Sequence, residues 1–129
     1  MSAPTALVTG GASLIGRGVA RKLMAEGWNV VLTDIDRKGL DEAVTELGGG
    51  NAVAAEVLDV TDLDAIHKCI DGIIRTYGSF DAMVTCAGNL RSIGLKSKPF
   101  LEFTPDEWRK TVEVNLIGLM NCVHAALPV

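Results

Sequence analysis

The sequence has 129 residues, with 12 Lys and Arg against 16 Asp and Glu, a formal net charge of -4, 48% hydrophobic residues and 22% charged ones. These proportions describe one globular domain at most and exclude a disordered or collagen-like chain. An acidic chain without a run of Lys and Arg lacks the electrostatic footprint of phosphate-backbone binding, so a small molecule is the better partner than nucleic acid.

In chain order, Thr5-Ala6-Leu7-Val8-Thr9 is an apolar run closed by Gly10-Gly11, after which Ile15, Val19 and Leu23 recur at helical spacing until Gly27. Asn29-Val30-Val31-Leu32-Thr33 repeats the pattern, followed by a polar helix with Leu40, Ala43, Val44 and Leu47 on one side and Gly48-Gly49-Gly50 at its end. A third run, Ala52 to Val57, precedes Thr61-Asp62-Leu63-Asp64, an N-cap signature for a helix carrying Ile66, Ile70, Ile73 and Ile74. The fourth run is Ala82 to Ala87. A loop from Gly88 to Phe103 leads to Thr104-Pro105-Asp106-Glu107, a capping box with Pro at the first helical position, from which one long helix should run to about Leu127.

Runs that are continuously apolar instead of alternating, each followed by a helix or a long return, are what a parallel sheet covered on both faces requires. The predicted fold class is therefore α/β, a Rossmann-type doubly wound parallel sheet. The start, Met1 to Thr5, has no basic leader, and the apolar stretch Val112 to Val129 is interrupted by Glu113, Asn115, Asn121 and His124. Neither secretion nor a membrane span is expected. Cys69, Cys86 and Cys122 lack metal-ligand spacing and read as buried reduced thiols, with a cytoplasmic location and no metal as the expectation. His67 and His124 have no second ligand or acid at suitable spacing and are assigned to surface or core.

The loop Thr9-Gly10-Gly11-Ala12-Ser13-Leu14-Ile15-Gly16-Arg17-Gly18 joins the first strand to the first helix, where glycines let backbone N–H groups approach a pyrophosphate. It is neither G-x-G-x-x-G nor a P-loop, and a plain strand-to-helix turn is the alternative. Asp34 closes the second strand 18 residues after Gly16, where a carboxylate can accept both hydroxyls of an adenosine ribose and repel a 2′-phosphate, which favours NAD over NADP. A helix cap is the bland alternative, a role for which Asp36 is better placed. Asp59, with Val60 as an apolar wall, is placed to reach an adenine amino group or else sits in a solvated turn.

These pieces, with Ala87-Gly88 after the fourth run and Asn115 within Val114-Asn115-Leu116, give a chain that resembles the N-terminal half of a short-chain dehydrogenase/reductase. The resemblance implies that residues 1–129 form the dinucleotide-binding part of a single such domain. It implies NAD as cofactor, with NADP less favoured, an alcohol or carbonyl as substrate, and a homotetramer or homodimer packed through the long helix after Thr104. It places Gly10, Ser13, Leu14, Ile15 and Gly16, together with Asp34, Asp59, Val60, Ala87 and Gly88, around the cofactor. Asn115, seven residues after Trp108 on an otherwise apolar stripe, matches the catalytic Asn whose backbone helps hold a water in a proton relay, or is a buried Asn that satisfies neighbouring backbone.

Two departures stand out. Leu14 replaces the second glycine of the family loop, and Thr85-Cys86-Ala87-Gly88 replaces Asn-Asn-Ala-Gly, so the hydrogen bonds that usually brace the sheet there must come from elsewhere or be absent. The family's Ser, Tyr and Lys are not found: the one tyrosine is Tyr77, and Asp81 stands four residues later. The 129-residue chain is therefore expected not to catalyse alone, and further protein is expected to cover the apolar fourth strand. The segment Asn89 to Phe103, with Leu90, Ile93 and Leu95, gives one wall of a substrate pocket or simple packing. The alternative reading is a non-catalytic dinucleotide-binding or structural module.

Overall fold

The computed structural model describes residues 2–88 and 94–129. Leu90 and Ile93 of the expected pocket wall lie outside the described residues. Four apolar segments form one parallel sheet, β1 (Thr5–Thr9), β2 (Asn29–Asp34), β3 (Val53–Val57) and β4 (Ala82–Thr85), in the order β3-β2-β1-β4. The register sets Leu7 opposite Val31 on one side and Met83 on the other. Because side chains alternate across a strand, Leu7 and Val31 enter one core with Ile66, Ile70 and Cys122, while Val8, Val30 and Leu32 enter a second with Ala20, Leu40 and Ala43. Two helices cover each face, as continuous apolar strands require.

The helices begin where their caps dictate. Ser13 accepts the Gly16 N–H ahead of α1 (Leu14–Ala25), Asp36 the Gly39 N–H ahead of α2 (Arg37–Glu46), and Asp62 the Ala65 N–H ahead of α3 (Leu63–Tyr77). Gly78, at φ 85°, closes α3 in the left-handed conformation that glycine adopts without steric cost. The capping box on Thr104 and Glu107 opens α4 (Pro105–Val112), with Pro105 in the first turn.

The long helix expected after Thr104 runs without a break from Pro105 to Ala126, with π-helical bonding over Glu113–Ile117 between α4 and α5 (Gly118–Ala126). The hydrogen bonds there close i→i+5, and Asn115 is exposed instead of lying on a buried stripe. The stripe itself is not core, since Trp108, Val112, Leu119 and Val123 are between 41% and 49% exposed. The small residues Gly118, Cys122 and Ala125 are what α5 buries. The fourth strand ends at Thr85, short of the expected Ala87.

Cys69 and Cys122 are buried as expected, but Cys86 is only half-buried. Burial, with the Glu56 carboxylate beside it, pushes the Cys69 thiol up to about 12, and burial pushes Cys122 up to about 11. Both are inert thiols near neutrality. Among the described residues, no helix is long and apolar enough to cross a membrane.

Candidate functional site

In an open parallel sheet the strand order reverses beside β1, and the crevice outside the carboxyl ends of the strands at that point is the natural ligand site. A cavity of about 530 Å³ occupies it, within the size range of small-molecule sites. Gly10 and Ser13 line it after β1, Asp34 and Ile35 after β2, Asp59 and Val60 after β3, and Ala87 and Gly88 after β4. Arg109, Lys110, Glu113 and Val114 wall the remaining side from α4 and the π-helical turn.

The loop after β1 is shaped by close approach. Gly10 has φ +66°, and a Cβ there would stand 2.5 Å from the Cys86 carbonyl carbon, while a Cβ on Gly16 would stand 2.3 Å from the Gly10 carbonyl oxygen. Ser13 Oγ donates to the Gly10 carbonyl at 2.7 Å and accepts the Gly16 N–H at 3.0 Å. Arg17 ties the loop to α2, donating from Nε to the Ala12 carbonyl and from its terminal nitrogen to the Gly39 carbonyl, each at 3.1 Å. Leu14 and Ile15 are 88% and 72% exposed at the first turn of α1. The cavity wall includes neither them, nor Gly16, nor Asn115. Any anion contact by the helix start comes from backbone N–H groups at its positive end.

Asp34 is held from two directions. Its Oδ2 accepts the Ala12 N–H and its Oδ1 the Asp36 N–H, both at 3.1 Å. Each carboxylate oxygen keeps capacity for a further donor, so the group is fixed in orientation and able to accept from a ligand. Asp59 Oδ1 accepts both the Thr61 N–H at 2.9 Å and the Thr61 hydroxyl at 2.8 Å.

At the end of β4, the Cys86 N–H donates to the Thr9 carbonyl at 3.1 Å and the Ala87 N–H to Thr9 Oγ1 at 3.3 Å. The bracing in doubt from Thr85-Cys86 is thus supplied by Thr9. Asn115 Nδ2 donates to the Thr111 carbonyl at 2.9 Å, and its Oδ1 lies where a Cβ on Gly88 would come within 2.4 Å. The π-helical turn therefore brings Asn115 against the strand end beside the cavity. His67 and His124 meet edge to face, ring centroids 6.3 Å apart, across α3 and α5.

Sequence reasoning missed the contribution of α5. Asn121 Nδ2 donates to the Val60 carbonyl at 3.0 Å, and a Cβ on Gly118 would fall 2.5 Å from Val60 Cγ2. A glycine and a carboxamide three residues apart in an apolar helix were the signal. Ile35, Arg109 and Lys110 were also missed, because nothing local distinguishes them from ordinary surface residues.

A sequence model of the family described as short chain dehydrogenase matches residues 4–129. A short-chain dehydrogenase/reductase of Pyricularia oryzae is 34% identical over 122 residues, covering 93% of this chain and 45% of the relative. A short-chain dehydrogenase/reductase of Brucella melitensis superposes with a TM-score of 0.84 at 32% identity, covering 99% of this chain and 54% of that one. An actinorhodin polyketide ketoreductase with NADPH superposes with a TM-score of 0.85 at 28% identity, covering 97% and 46%. The chain spans about half the length of the relatives it matches.

Proposed function

The chain belongs to the short chain dehydrogenase family, and from that membership we propose that residues 1–129 supply the dinucleotide-binding part of one oxidoreductase domain working with NAD and an alcohol or carbonyl substrate. The family's NAD(P) cofactor supplies hydride transfer to or from the substrate carbon. The observation that carries the choice of NAD is the Asp34 carboxylate, oriented by the Ala12 and Asp36 N–H groups and facing the cavity. It accepts from vicinal ribose hydroxyls and repels a phosphate in the same place.

On this reading Asp59 and Val60 meet the adenine edge, the α1 N-terminus faces the pyrophosphate, and Ala87 and Gly88 line the path toward the reacting end. Asn115 has its amide nitrogen engaged with the Thr111 carbonyl, so its part in a proton relay runs through the backbone of the π-helical turn. The Ser, Tyr and Lys of the family have no counterpart at the family spacing in this sequence, so the isolated 129-residue chain is expected to bind dinucleotide without turnover. A cytoplasmic location belongs to the same proposal.

Titration by nicotinamide fluorescence tests it. NADH is expected to bind at least about tenfold tighter than NADPH, and Asp34→Ala to weaken NADH by roughly tenfold or more, the worth of charge-assisted hydrogen bonds. Equal or tighter NADPH binding overturns the cofactor choice, and failure to bind either overturns the reading. Binding without turnover in the protein purified from its natural source favours the non-catalytic module.

A further inference from the structure

The loop between β3 and α3 presents Asp59 to the cavity, and a helix remote in sequence bonds to it. Along it, Leu58 is buried, Asp59 exposed and Val60 buried, and the Asp62 N–H closes the turn on the Asp59 carbonyl at 3.0 Å. The peptide unit joining Val60 to Thr61 is gripped at both ends. Its carbonyl accepts from Asn121 Nδ2 at 3.0 Å, and its N–H donates to Asp59 Oδ1 at 2.9 Å. A trans peptide is planar with its C=O and N–H pointing in opposite directions. Fixing the carbonyl therefore fixes the direction of the N–H, and with it the carboxylate that accepts from it. Gly118, one turn before Asn121, lets α5 come close enough for the bond, since a Cβ there would press on Val60.

We propose that Asn121, 61 residues away from Val60, is a positioning residue for recognition of the adenine end of the dinucleotide, acting through the Val60–Thr61 peptide on Asp59. The proposal rests on the dinucleotide reading above. Asn121 touches no ligand in this scheme. It holds the peptide plane that aims the Asp59 carboxylate, so its removal loosens adenine binding and leaves the nicotinamide end alone. The bond is also the link by which the helix following the Asn115 turn is tied to the adenine loop.

The test uses AMP, nicotinamide mononucleotide and NADH on the purified protein. Asn121→Leu keeps the side-chain bulk and removes the donor, and it is expected to weaken AMP and NADH by about threefold to tenfold, the value of one neutral hydrogen bond. Affinity for nicotinamide mononucleotide is expected to stay at the wild-type value. In an Asp59→Ala background, Asn121→Leu is expected to have no further effect on AMP, because both changes remove the same recognition. Wild-type AMP affinity in Asn121→Leu overturns the proposal, as does an equal loss with and without Asp59. In the unsubstituted protein, the Asn121 carboxamide ¹⁵N–H resonances are expected to shift on AMP binding and not on nicotinamide mononucleotide binding. Their indifference to AMP overturns the proposal even if the variant does not fold. Failure of the unsubstituted protein to bind AMP or NADH overturns the dinucleotide reading and this proposal together, whereas AMP binding that is blind to Asn121 removes only the proposal.

Discussion

Thr33 and Asp34 are adjacent at the end of β2 and meet opposite fates. Asp34 turns to the cavity with both oxygens engaged by backbone, whereas Thr33 is 1% exposed and its hydroxyl has no hydrogen-bond partner among the described residues. A buried unpaired hydroxyl costs free energy that an isosteric apolar side chain does not. Thr33→Val is therefore expected to stabilise the protein by about 1 kcal/mol, raising Tm by roughly 3 °C in a thermal melt. A loss of stability would mean that an ordered water satisfies the hydroxyl. Leu14 is a second residue whose context decides its meaning. No residue other than glycine has positive φ among the described residues, so Leu14 sits at the helix start without backbone strain, and its exposed side chain leaves the loop undistorted.

Among the elements, β1 and β4 are joined at their starts by one carboxylate. Asp81 accepts the Thr5 N–H at 2.8 Å and the Ser79 hydroxyl at 2.7 Å, and these bonds, the Ser79 hydroxyl first, hold its carboxyl below the ordinary value of 3.8. A depressed folded-state value means stabilisation that is complete above the unfolded value and lost as pH falls through the folded one. Asp81→Asn is expected to lower Tm at pH 7, with the gap to wild type closing below about pH 4. Melts from pH 7 to pH 2 check this, and a gap independent of pH would refute it. Glu46, lowered chiefly by its hydrogen bond to Arg17, follows the same sign where it joins α1 to α2.

At the scale of the whole molecule, two surfaces stand out. The row Val112, Leu116, Leu119, Met120 and Val123 along α4, the π-helical turn and α5 is between 41% and 55% exposed, and β4 is a half-buried edge of the described sheet. Rows of this kind rarely stay solvated, and an apolar edge invites pairing. We propose that the helix row packs against a second copy in a dimer or tetramer, and that further polypeptide covers β4. Sedimentation equilibrium of the protein is expected to give a dimer or tetramer, with Leu116→Glu and Met120→Glu together shifting it toward monomer by tenfold or more in Kd, on the order of the several methylenes re-exposed. A monomer before substitution would refute the oligomer.

Much of the fold was legible because its determinants are local. Ser13, Asp36, Asp62 and Thr104 start their helices by bonding an N–H three residues on, and the continuous apolar runs announced a sheet buried on both faces. That Asp34 and the Gly10 loop would line one crevice was legible because their spacing encodes a strand, a turn and a helix. The π-helical turn at Glu113–Ile117 was not, since no residue in it announces the change of bonding pattern. Nor was the grip of Asn121 on Val60, or the burial of the Thr33 hydroxyl without a partner among the described residues. By itself the sequence determined the strands, the first three helices and the acidic group that closes β2, because each depends on a few neighbouring residues. Tertiary structure alone decided which peptide α5 clasps and which hydroxyl is buried with no partner among the described residues. Those outcomes depend on how closely helices and strands distant in sequence can approach, and the small residue at Gly118 sets that distance only once the partner surface is in place.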